Sequence, residues 1–208
     1  MVLEEFTVLR DMGQKRSNEV LYQPAPQEVF HHPHITIGES DVKSVQQFTY
    51  LGNIISSEGK IDKEIANRLA KAYRAFRKLH KRVWCNKDLK KSTKISVYRA
   101  IILSPLIHGS ESWVIYHHHL RLLKCFHQCC LSVMLNIPWS DYVTNVSVLE
   151  QTGVTSIKAM LLRMQLCWAG HISRMEDHRF PKIVLYGELA TRCHKRRAPK
   201  IRYMDSLK

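Results

Sequence analysis

From Asp62 onward, apolar residues recur at steps of three and four. Ile61, Ile65, Leu69, Ala72, Tyr73, Phe76, Leu79 and Val83 form the series, and basic residues fill most positions between them. That period predicts a helix with one packing face and one positive face. A second helix is predicted from a cap at Ser92 or Thr93, with Ile95, Tyr98, Ile101 and Ile102 as its buried stripe and an end near Ser104-Pro105 and Gly109. A third should run over about residues 118–136, turning Leu122, Leu123, Phe126, Cys130, Leu131 and Met134 inward, and a fourth over about 156–175, using Ile157, Leu161, Met164, Trp168 and Ile172.

Before Asp62 the pattern changes. Pro24, Pro26 and Pro33 break residues 20–38 into extended pieces around Val29-Phe30 and Ile35-Thr36-Ile37, and Gly38-Glu39-Ser40-Asp41 reads as a turn. Residues 45–55 are again strand-like, which predicts a small antiparallel sheet of two or three strands. The expected fold class is therefore mainly α with a small N-terminal antiparallel β element (α+β). No internal repeat is present.

Charge sharpens this picture. The 208 residues carry 32 Lys and Arg against 18 Asp and Glu, a net charge of +14. The excess is concentrated: residues 60–99 hold 14 basic side chains against three acids, and Arg192 to Arg202 add six more with none. Outside those two segments the chain is net acidic by three. Such clusters favour a polyanionic partner, with nucleic acid ahead of an anionic membrane surface. The acidic start, Met1-Val2-Leu3-Glu4-Glu5, lacks the charge and apolar run of a secretory leader, and no apolar stretch reaches the ~20 residues that span a bilayer. An intracellular protein, nuclear or cytoplasmic and not secreted, is expected, with its six cysteines as reduced thiols.

Several short blocks then occur in a telling order. They are Glu19-Val20-Leu21-Tyr22-Gln23-Pro24-Ala25-Pro26, Phe48-Thr49-Tyr50-Leu51-Gly52, Tyr98-Arg99-Ala100, His108-Gly109-Ser110-Glu111-Ser112-Trp113, Phe126-His127 with Cys130-Leu131, Trp168-Ala169-Gly170-His171-Ile172-Ser173-Arg174-Met175, and Leu185-Tyr186-Gly187-Glu188-Leu189. In this order the chain resembles the C-terminal part of reverse transcriptases from non-LTR (LINE-like) retrotransposons, those of the RTE clade above all. The resemblance implies a palm remnant over 1–56 with a primer-grip-like strand at Phe48, Tyr50, Leu51 and Gly52. It implies a basic helical thumb over 57–112, a helical C-terminal region over 113–191 and a basic tail over 192–208.

The departures from that family bear on activity. The family's Lys-Thr pair before Glu-Val is Ser17-Asn18 here, and no Phe/Tyr-Ala-Asp-Asp hairpin occurs in the 47 residues before Phe48. The parent family uses Mg²⁺ held by such aspartates. The adjacent acidic pairs Glu4-Glu5 and Glu176-Asp177 lack an apolar strand–turn–strand setting and read as solvated surface. The chain is thus expected to be a catalytically incomplete remnant of an RNA-directed DNA polymerase, with no cofactor of its own. It should retain non-specific binding of RNA or DNA, duplex or hybrid, through Lys71, Arg74, Lys78, Lys81 and Arg82 of the thumb helix and Arg196 and Arg197 of the tail. The alternative is a helical interaction or scaffold protein with no nucleic-acid role.

Cysteine and histidine invite one more reading. Cys125, His127, Cys129 and Cys130 lie within one helical stretch, with Cys167, His171, Cys193 and His194 elsewhere, but no Cys-x-x-Cys knuckle is present. Structural thiols and no metal site are expected. His31-His32-Pro33-His34 and His117-His118-His119 read as exposed polar turns, and Tyr73, Phe76, Trp84 and Tyr98 as core rather than a base-stacking platform.

Overall fold

The computed structural model describes residues 7–9, 19–21, 35–37, 40–50, 52–57 and 61–186. They fall into two compact units, Met1–Ala66 and Asn67–Lys208, with the division inside a helix.

The first unit carries the β element. Strands β1 (Thr7–Leu9), β2 (Glu19–Leu21), β3 (Ile35–Ile37) and β4 (Ser40–Val45) form one sheet in the order β1-β2-β4-β3, while β5 (Gln47–Tyr50) and β6 (Asn53–Ser56) form a separate hairpin. The expected two or three antiparallel strands are thus corrected to a four-stranded mixed sheet plus a hairpin, because β2 and β4 run parallel, with Val20 opposite Ser44. Alternating hydrophobicity carries no strand direction, and the residues 22–39 connecting β2 to β4 are long enough for the crossover that parallel pairing requires. Val20, Leu21, Val42 and Phe48 are buried. Opposite Tyr50 lies Asn53, and Gly52 turns the hairpin at φ +85. A Cβ at Gly52 would meet nothing within 4 Å, so the constraint there is backbone conformation, not space.

Helix α1 (Asp62–Leu79) starts where its periodicity predicts. Asp62 and Glu64 place negative charge in its first turn and Arg77 and Lys78 positive charge in its last, both favourable to the helix dipole. The Glu64 carboxylate accepts a 2.7 Å hydrogen bond from the Ile54 amide of β6, so a nominally surface acid is buried.

The second unit is helical. After α1 the chain makes a π-helical turn (His80–Trp84), then a continuous helix built from α2 (Lys91–Val97), a π-helical segment (Tyr98–Leu103) and α3 (Ser104–Ile107). Pro105 lacks an amide hydrogen and its ring crowds the carbonyl four residues back, so a widened turn just before it lets the helix continue to Ile107. The cap of α2 is Lys90, not Ser92 or Thr93, and it makes no side-chain capping bond. Helices α4 (His117–Met134), α5 (Asn145–Thr152), α6 (Ile157–Ser173) and α7 (Phe180–Tyr186) complete the unit. Thr144 caps α5 and Ser156 caps α6, each accepting from the amide three residues on.

The core of this unit uses the predicted stripes with three corrections. Tyr98, Ile102, Leu106, Leu123, Leu131, Ile157 and Ile172 are buried, yet Tyr73, Ile101 and Leu122 are about half exposed. Neighbours in a helix point about 100° apart, so Ile101 and Leu122 cannot share the centre of a face with the buried Ile102 and Leu123. Tyr73 lies at the edge of its stripe, under the Arg77 guanidinium 5.8 Å from the ring centroid. Among the described residues, no helix is long and apolar enough to cross a membrane.

Candidate nucleic-acid interface

Lys71, Arg74, Lys78, Lys81 and Arg82 are all exposed, and their three- and four-residue spacing keeps them on one side of α1 and its π-helical extension. Ala72 and Phe76 are buried on the opposite side. At 1.5 Å per residue, Lys71 to Arg82 covers about 16 Å of helix. From Ile65 to Lys87 the chain has no acidic residue. No ion pair ties Lys71, Lys78, Lys81 or Arg82 to another described residue. The Arg74 Nε donates to the Ala70 carbonyl at 3.2 Å, an exposed contact that still leaves its charge facing out.

What holds this stripe in place is a buried corner behind it. Trp84 is fully buried, stacks on Phe76 with ring centroids 4.8 Å apart, and donates its indole N–H to the Phe76 carbonyl at 2.8 Å. Lys94 reaches the Trp84 carbonyl at 2.8 Å. Arg68 donates to the Pro105 carbonyl at 2.6 Å and lies over the Trp113 ring. Both cations are buried, so the surplus of basic charge counted along residues 60–99 overstates what a ligand would meet. Their long apolar stems pack while their heads saturate backbone carbonyls, a use that composition cannot reveal.

A second buried polar group lies deeper. The Tyr98 hydroxyl is 2.8 Å from His127 Nδ1, both residues are essentially inaccessible, and among the described residues Nε2 has no hydrogen bond of good geometry. Burial lowers the His127 pKa from 6.5 to about 4, against a weaker opposite pull from the Thr155 carbonyl. A neutral ring with a proton on Nε2 lets Nδ1 accept from the tyrosine. Burial also raises the Tyr98 hydroxyl and the Cys130 thiol well above their ordinary ranges. All three are therefore neutral structural groups.

The remaining expected site residues separate. Phe48 is buried within its unit, in the position of a packing residue; Tyr50 ends β5; Gly52 supplies the turn. Leu51, Arg196, Arg197 and the tail from Arg192 to Arg202 lie outside the described residues. Cys130 is the buried thiol its stripe predicts, but Cys85, Cys125, Cys129 and Cys167 are exposed, which corrects the reading of all as structural. His117-His118-His119 is no turn: it opens α4, and His119 is buried and accepts from the Tyr116 amide at 3.4 Å. That reciprocal contact at the third helical position is the usual place of Glu or Gln in a capping box, so a histidine there gave no signal. Glu176 and Asp177 are exposed, with Asp177 paired to Lys182 at 2.7 Å, which holds its carboxyl below the usual range. Compared with known proteins, the chain matches no family model, no curated protein and no solved structure.

Proposed function

We propose that the chain binds nucleic-acid duplexes or RNA–DNA hybrids without sequence preference, as the catalytically incomplete remnant of a retrotransposon reverse transcriptase. The observation that carries this reading is the outward stripe Lys71, Arg74, Lys78, Lys81 and Arg82, with no acid between Ile65 and Lys87. A solvated helix face ordinarily mixes signs and gains stability from pairs four residues apart. A face of one sign forgoes that gain and repels itself, which a polyanion relieves by releasing its condensed counterions. Lysines and arginines on a single exposed row reach phosphates and not base edges, so affinity without discrimination follows. Unrelated duplexes should bind with similar affinity, and a primed RNA template should not be extended with Mg²⁺ above a no-protein control.

A second reading, a helical interaction module, draws on the exposed Tyr142, Val146 and Phe180 of the helical unit, at 82%, 63% and 68% exposure. Binding to a protein partner that resists added salt, together with no affinity for nucleic acid, would favour it.

A further inference from the structure

Along one row of α4, His117, Arg121, Cys125 and Cys129 follow one another every fourth residue and line a groove of about 740 Å³, together with Lys124 and Gln128. Among the described residues, no acidic side chain contributes to that lining. Cys125 and Cys129 are exposed. The groove thus offers two cations for carboxylates and an accessible sulfur between them.

We propose that this groove is a modification site, in which Cys125 forms a mixed disulfide with an anionic, peptide-like thiol of the glutathione class. The Cys125 sulfur attacks one sulfur of the small-molecule disulfide. A new S–S bond forms to Cys125, the old one breaks, and the departing half leaves as a thiol that takes up the proton lost by Cys125. The small disulfide is the oxidant, so the exchange needs no other reagent. Arg121 and Lys124 hold the carboxylates.

Cys129 does not complete the exchange into an internal bridge. Side chains four apart in a helix have Cβ atoms about 5–6 Å apart, whereas a disulfide needs about 3.5–4.5 Å. Closing that gap would distort α4 near the buried Leu123, His127 and Cys130. The mixed disulfide is therefore the end product, reversible by excess thiol. This site stands apart from the nucleic-acid reading and survives its failure.

The test treats the reduced full chain with glutathione disulfide or with cystamine, a small cationic disulfide, and follows each cysteine by mass-spectrometric peptide mapping. Cys125 should prefer glutathione disulfide over cystamine by about fivefold, the order expected of two exposed charge contacts. Arg121→Gln combined with Lys124→Gln should remove that preference and leave the ratio at Cys167 unchanged; both replaced residues are exposed, so folding is preserved. Reduction with excess thiol should return the unmodified mass. Equal preference at Cys125 before and after the substitutions, or an internal Cys125 to Cys129 disulfide as the main product, would overturn the proposal.

Discussion

Replacing Tyr98 by Phe deletes one oxygen from the core and leaves a histidine alone in it. Among the described residues, the Tyr98 hydroxyl supplies the sole good hydrogen bond to the His127 ring, at 2.8 Å, and Nε2 has none. A buried acceptor stripped of its donor costs about 1–3 kcal/mol, more than the net ~1 kcal/mol of the bond itself. His127→Leu exposes the mirror problem, stranding the tyrosine hydroxyl at similar cost. The double variant strands neither group, so its loss should fall short of the summed single losses by about 1–2 kcal/mol. Urea unfolding followed by far-UV circular dichroism measures all four proteins, with an unchanged m-value confirming that the native state is comparable. Additivity within about 0.5 kcal/mol would show that the two side chains do not depend on each other, and the reasoning about this pair would fail.

The same histidine predicts a pH dependence. Its folded pKa, near 4, lies below the ordinary 6.5, so between those values the unfolded chain binds a proton that the folded chain refuses. Stability should be complete above pH 6.5 and fall by up to about 1.4 kcal/mol per pH unit as pH drops toward 4, and His127→Leu should flatten that slope. Trp84→Ala empties a fully buried site, removing the Phe76 stack and the indole hydrogen bond. It should destabilise the helical unit by about 3–5 kcal/mol, read by the denaturation midpoint.

Much of the helical unit was legible because its signals are local. The period of Ile65, Ala72 and Phe76 locates α1, the stripe of Ile157, Leu161 and Ile172 locates α6, and the apolar stripe of α4 places Cys130 inside. What escaped depends on partners far along the chain. Whether β2 and β4 run parallel is decided by where the 22–39 connection travels, and hydrophobic alternation is blind to that. Arg68 and Lys94 look like members of a basic face until the Pro105 and Trp84 carbonyls are brought to them. His127 looks like half of a metal motif with Cys125 and Cys129, yet it points into the core toward Tyr98 while both thiols are exposed. The stripe Lys71 to Arg82 was legible for the opposite reason: an exposed row depends on helix geometry alone.

That stripe carries the central claim, and the salt dependence of binding tests it most directly. Affinity for a DNA duplex should be measured across a range of salt concentrations for the unaltered chain and for the variant Lys71→Gln, Arg74→Gln, Lys78→Gln, Lys81→Gln. Each phosphate contact contributes about 0.9 to the slope of log affinity against log salt, so four lost contacts should reduce its magnitude by about 3–4 and weaken binding alike on unrelated sequences. The same affinity and the same slope in both proteins would contradict the claim that this face of α1 binds nucleic acid.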